Sequence, residues 1–197
     1  MAVFAVLIVF LFIVLAVFFF YTAMLVTIFF EAPFVPSAGR AVSAMLKAAD
    51  IKPGEIVYDL GSGDGRLVRA AARRGARAIG VERSQLLVLW SKTIFVISSV
   101  ARNLTRYFRH DVISIGKARD DSRFICANFY SIDLKDADVV FTYLFPNVMA
   151  KLKDKFEKEL HPGSRVVSYA FKVPGWTPKE RIQFSPKSPA VYLYVKN

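Results

Sequence analysis

The run V-Y-D-L-G-S-G-D-G-R at residues 57–66 constrains this chain more than any other feature. Ile56, Val57, Tyr58 and Leu60 read as the end of a buried strand, and residues 67–74 read as a helix. Between them Gly61, Gly63 and Gly65 alternate with small polar residues, among them Ser62. A strand that turns through glycines into a helix lets a ligand lie against backbone that carries no side chains. The spacing is G-x-G-x-G, whereas a pyrophosphate is seated by G-x-G-x-x-G. Asp59 stands two residues before the first glycine. A carboxylate there repels a phosphate and attracts a ligand with an amino group and a sulfonium. S-adenosylmethionine is such a ligand.

A second strand, over residues 76–82, ends in Glu82. A carboxylate about 20 residues past a glycine loop can accept hydrogen bonds from ribose hydroxyls. A tight turn and a solvated strand end would explain the glycines or Glu82 taken singly. Asp59, the glycines and Glu82 together favour a cofactor site.

The 197 residues suffice for one domain with a real core. Residues 1–30 contain no Asp, Glu, Lys, Arg, His, Pro or Gly, so all 27 basic and 16 acidic residues, and the net charge of +11, lie beyond them. At ~1.5 Å per residue this apolar stretch exceeds the ~30 Å hydrocarbon core of a bilayer. A secretory signal would need a basic flank and a shorter core, and a buried soluble helix would show a polar stripe. The stretch reads as a single-pass transmembrane anchor. Arg40, Lys47 and Lys52 follow it and no base precedes it, which puts the catalytic domain on the cytoplasmic side, or the matrix side in a mitochondrion. The lipid bilayer is then a partner, and it accounts for the positive charge better than nucleic acid does. Cys126 is the one cysteine, so no intrachain disulfide forms. His110 and His161 lack ligands at metal-binding spacing, and no metal is expected.

Residues 31–54 are expected to form a proline-marked linker and a helix (37–49) that covers the cofactor pocket, with the domain proper over residues 55–197. Gly75 is placed to close the helix after the glycine loop. A long helix follows Ser84. Further strands are expected at 123–127, 137–144 and 165–170, and Asn147 is placed to cap a helix that runs to Leu160. Short strands near 181–184 and 190–195 would finish the sheet as an antiparallel pair. This alternation predicts an α/β fold with a Rossmann-like doubly wound sheet behind the anchor. Ligands bind at the carboxyl ends of such strands. One rim would therefore carry Asp59–Gly65, Glu82, Asn128 and residues 143–147.

D-L-G-S-G-D-G-R resembles motif I of class I S-adenosylmethionine-dependent methyltransferases. Three further stretches narrow the resemblance: P-F-V-P at 33–36, E-L-H-P-G-S-R-V-V at 159–167 and F-K-V-P-G-W-T-P at 171–178. Together they resemble small membrane-anchored protein-lysine methyltransferases, whose mitochondrial members modify the ATP synthase c subunit and the adenine nucleotide translocase. The resemblance implies that Asp59, Gly61 and Gly63 hold the methionine end of the cofactor, with Ser62 and Gly65 in the same loop. It implies Glu82 at the ribose and Asn128 near the adenine. Residues 143–146, with Phe145 and Pro146, would form the entrance for a lysine amine of a membrane protein. The family tends to carry E-x-N after the acid, whereas here Glu82 is followed by Arg83 and Ser84.

Methyl transfer from a sulfonium needs a positioned, neutral nucleophile and exclusion of water. Tyr143 is the candidate for orienting the amine, and a plain packing role for it stays open. The [N/D]-P-P-[Y/F] segment used on nucleobase amines is replaced by Y-L-F-P-N, and Cys126 lies on a strand away from a C5-methylation nucleophile's place. A membrane lipid or quinone methyltransferase is the alternative, since an anchor also serves a lipid substrate. A cofactor-binding module without activity fits the intact Asp59, glycine and Glu82 set less well.

Overall fold

The computed structural model describes residues 10–22, 39–108, 122–186 and 188–197, by backbone alone over 98–108. The chain divides into two compact units, Met1–Val35 and Pro36–Asn197. In the first, α1 is described over residues 10–22, and its large apolar side chains, Phe10 and Phe18 to Phe20 among them, are exposed. Among the described residues no helix is long and apolar enough to cross a membrane. Of the anchor expected over 1–30, positions 1–9 and 23–30 lie outside the described residues, as do 31–38 of the linker.

The second unit runs α2 (Gly39–Ala49), β1 (Ile56–Leu60), α3 (Arg66–Ala72), β2 (Arg77–Glu82), α4 (Gln85–Phe108), β3 (Arg123–Cys126), a 3-10 turn (Phe129–Ser131), β4 (Val139–Thr142), α5 (Pro146–Glu159), β5 (Arg165–Tyr169), β6 (Glu180–Gln183) and β7 (Ala190–Val195). The sheet order is β3-β2-β1-β4-β5-β7-β6. Strands β1 to β5 are parallel, and β7 runs antiparallel to both β5 and β6. This is the Rossmann-like α/β sheet expected from the alternation. The antiparallel finish was expected too, but the insertion of β7 between β5 and β6 was not.

Alternation along the strands divides the core. Val57, Ala78, Val139, Phe141, Val167, Val191 and Leu193 pack with Ala41, Ala44, Met45 and Ala48 of α2 and with Leu67, Val68 and Ala71 of α3. The opposite face meets α5, where the rings of Phe156 and Trp176 lie 6.3 Å apart and those of Trp176 and Tyr194 lie 6.0 Å apart. The alanines of α2 let its backbone approach the sheet. Arg165 of β5 fastens the helix end: Nη1 donates to Ala49 O at 2.6 Å, and Nη2 pairs with Glu55 Oε1 at 2.5 Å.

Gly75 closes α3 as expected. It lies at φ +87, its N–H donates to Ala72 O at 2.9 Å, and Ala76 N–H reaches Ala71 O at 3.4 Å. Two local expectations are corrected. Strand β4 stops at Thr142, where its pairing with Ser168 ends, so Tyr143 and Leu144 leave the sheet for the rim. Phe145 is the N-cap of α5 and Pro146 stands in its first turn, so Asn147 lies inside the helix.

Candidate functional site

Five parallel strands end on one rim, and the glycine loop crosses it between β1 and β2. Gly61 and Ser62 both donate their N–H groups to Val81 O, at 2.9 and 3.1 Å. Gly65 N–H donates to Ser62 O at 2.8 Å. Glu82 accepts on both oxygens, from Gly63 N–H at 3.1 Å and from Ser84 N–H at 2.9 Å. Ser84 then opens α4, its hydroxyl accepting from Leu87 N–H at 3.4 Å. Serine and asparagine both serve as helix caps, so the change from E-x-N keeps the local structure.

Two of the three glycines hold the loop for steric reasons. Gly65 has φ +71, and a Cβ there would stand 2.3 Å from the Phe124 ring. At Gly61, φ +79, it would stand 3.2 Å from Leu144 Cδ2. The loop also needs Gly80 of β2, where a Cβ would meet Ser62 Oγ at 2.8 Å. Sequence reasoning passed over Gly80, although a glycine inside a strand signals close backbone approach. It also passed over Ser91, which is fully buried on α4 and whose hydroxyl donates to Gly63 O at 2.9 Å. No local pattern marks a bond spanning 28 residues.

Asp59 lies at the heart of the rim, 6% exposed, between Gly80 and Phe141 in the sheet register. Burial pushes its carboxyl up to about 7, and the nearby Glu82 and Asp64 add to the shift. Asp64 behaves differently. Burial acts to raise it, but hydrogen bonds and charge from Arg66, with Nη2 to Oδ2 at 2.6 Å, hold it below the ordinary carboxylate range. Asp59 is thus a buried acid near two other acids, an arrangement that a cation relieves.

The other expected residues flank this centre. Ala127 N–H donates to Glu82 O at 3.1 Å, which brings the end of β3 alongside. Asn128 follows, exposed, with Oδ1 accepting from Tyr130 N–H at 3.1 Å to cap the 3-10 turn. Its side chain is engaged locally and is not joined to the glycine loop. On the other flank Leu144 meets Gly61, and Tyr143 and Phe145 stand on either side of it. The Tyr143 ring lies 4.8 Å from that of Tyr169 and 6.3 Å from that of Phe171, and Phe145 lies 5.6 Å from Phe171. Tyr169 and Phe171, at the end of β5, had no place in the expected site.

A protein-lysine N-methyltransferase of Saccharolobus islandicus (strain REY15A) is 36% identical over 169 residues, which cover 84% of this chain and 94% of that protein. The chain belongs to the protein-lysine N-methyltransferase family. The ANTKMT methyltransferase domain model matches residues 102–180. The lysine N-methyltransferase of the ATP synthase c subunit from Rattus norvegicus is 32% identical over 74% of this chain, which spans 59% of the rat protein. Among solved structures, an RNA methyltransferase from Salinibacter ruber, in complex with S-adenosyl-L-homocysteine, is 32% identical. It has a TM-score of 0.69 and covers 82% of this chain and 93% of that one.

The family's cofactor is S-adenosylmethionine, and the residues here fit it. The cradle has no room for side chains at Gly65 and Gly80 and little at Gly61. Asp59 is a buried acid in need of a cation. The buried Ser62 Oγ finds no hydrogen-bond partner among the described residues.

Proposed function

We propose that this enzyme methylates the ε-amino group of a lysine in a membrane-embedded protein. The carrying observation is the aromatic flank at Tyr143, whose chain neighbour Leu144 fills the space that a side chain at Gly61 would need. Bound S-adenosylmethionine would supply a sulfonium methyl group, which a neutral amine can take in line as the carbon–sulfur bond breaks and the thioether leaves. Asp59 would hold the cofactor's amino group, with Gly61, Ser62, Gly63 and Gly65 as the backbone cradle. Glu82, its carboxylate already aimed by two N–H donors, would take the ribose, and Asn128 the edge of the adenine. Tyr143 would orient the lysine nitrogen, with Phe145 and Pro146 at the entrance. A lysine starts near pKa ~10.4 and must lose its proton before it attacks the methyl group. Protons lost by the amine then pass to solvent.

The membrane reading draws on residues 1–30, which we propose as an anchor with the catalytic unit facing the cytoplasm, or the matrix in a mitochondrion. The catalytic unit itself supports it. Leu86, Leu89, Trp90 and Ile97 share one face of α4 by their spacing and are all exposed. Exposed apolar patches of this kind mark protein or membrane contacts.

Label transfer tests the proposal. The full-length enzyme and an Asp59→Ala variant are incubated with methyl-labelled S-adenosylmethionine and membranes from a source lacking the gene. Protein, lipid and RNA are then separated. Label recovered as methyl-lysine, and lost with the variant, is the expected result. Label in lipid would instead establish a lipid or quinone substrate. Label in RNA would follow the description of the Salinibacter ruber relative.

A further inference from the structure

We propose that Tyr169 and Phe171, with Tyr143, form an aromatic box that binds the target ammonium, so that two substrate-recognition residues lie at the end of β5. The inference rests on the lysine reading above and adds these residues to it.

The box is built by a strained turn. Phe171 N–H donates to Tyr169 O at 2.9 Å, closing a three-residue turn around Ala170, which has φ +67. Such a turn is rare for a residue with a side chain, and strain of this kind collects at functional sites. Two bonds hold it. Ala170 N–H donates to Ala190 O of β7 at 2.8 Å, and the Ser168 hydroxyl donates to Phe171 O at 2.5 Å. An untwisted strand would carry residue 171 on past the rim. The turn instead brings Phe171 back to Tyr143 and Phe145.

The resulting geometry suits a cation. The Tyr143 and Phe171 rings are inclined by only 20°, with centroids 6.3 Å apart, and the Tyr169 ring is tilted by 58° against Tyr143. One ammonium can lie within the ~6 Å reach of both near-parallel rings. Tyr169 is 8% exposed, and burial, followed by the neighbouring Tyr143, holds its phenol above the usual range. It therefore meets the amine as a neutral ring. Tyr143 and Phe171 are half-buried and Phe145 is 38% exposed, so the box opens to solvent at its outer end. The chemical class this selects is an unmethylated alkylammonium on a slender chain, which is a lysine.

Binding of two probes tests this apart from turnover. The full-length enzyme, saturated with S-adenosylhomocysteine, is titrated with N-acetyl-lysine amide. It is then titrated with the carbon isostere in which a methyl group replaces the ammonium. The cation should bind roughly two- to thirtyfold more tightly than the isostere. Phe171→Leu should lower that ratio while S-adenosylhomocysteine affinity is unchanged, and Phe171→Trp should retain it. Equal binding of both probes by the wild type overturns the inference, as does a ratio preserved in Phe171→Leu. A wild type that methylates lysine without cation preference sinks the aromatic box alone. One that labels no lysine sinks the lysine reading with it.

Discussion

Asp59 sets the pH behaviour of the cofactor-free protein. Its carboxyl moves from an ordinary 3.8 to about 7 on folding, because burial, Glu82 and Asp64 all oppose its charge. A raised folded value means that its contribution to stability is complete below about 3.8 and is lost as pH rises through about 7. Asp59→Asn mimics the neutral acid. Its unfolding free energy should match the wild type's near pH 4 and exceed it at pH 8 by roughly 2–4 kcal/mol, at ~1.4 kcal/mol per unit. The same variant should lose cofactor affinity. Asp59→Ala should abolish binding and leave the far-ultraviolet spectrum of a folded domain, and unchanged affinity would remove Asp59 from the site. Gly65→Ala adds a Cβ 2.3 Å from the Phe124 ring at a φ of +71, and should cost about 2–4 kcal/mol in denaturant unfolding. The sequence already showed these residues, because a glycine loop and its acid are neighbours in the chain.

Elements were legible where the cause was local and obscure where the cause was distant. The turn at Gly75 and the strand–loop–helix at Asp59 rest on contacts a few residues apart. Ser91 became visible only when α4 was laid across the loop. Ser91→Ala removes the hydroxyl that Gly63 O accepts from, a cost of about 1–3 kcal/mol for a buried carbonyl. Weaker cofactor binding should accompany the lower unfolding midpoint, whereas a change in stability alone would give Ser91 a packing role. The strained turn after β5 was equally hidden, since neither Ala170 nor its neighbours signal a positive φ. Arg165 reads in sequence as the first residue of a strand, yet it holds the end of α2. Arg165→Met should lower stability by about 1–3 kcal/mol, with Ala49 O and Glu55 both losing their donor.

For the whole molecule, the alternation of strands and helices carried the doubly wound sheet and the rim proposed for the ligand, because parallel pairing forces helical crossovers. It did not carry the place of β7, since two short strands joined by a few residues can enter a sheet in either order. The proposed anchor belongs to this scale as well. Deleting residues 1–30 should leave cofactor affinity intact and reduce methylation of a membrane-embedded target. Equal activity on native membranes would remove the anchor from substrate delivery.

Proton release on cofactor binding tests the account most directly. The full-length chain is titrated with S-adenosylmethionine by calorimetry at pH 6, in two buffers of different ionisation enthalpy. At that pH the ligand's α-amino group, near ~7.7–8.0, is already charged, so it takes up little. The buried Asp59 is mostly protonated there and must ionise to meet that cation. Close to one proton per site should leave the wild type, and Asp59→Asn should neither bind with comparable affinity nor release it. Tight binding by Asp59→Asn, or a wild-type proton count near zero, would contradict a site organised around this acid.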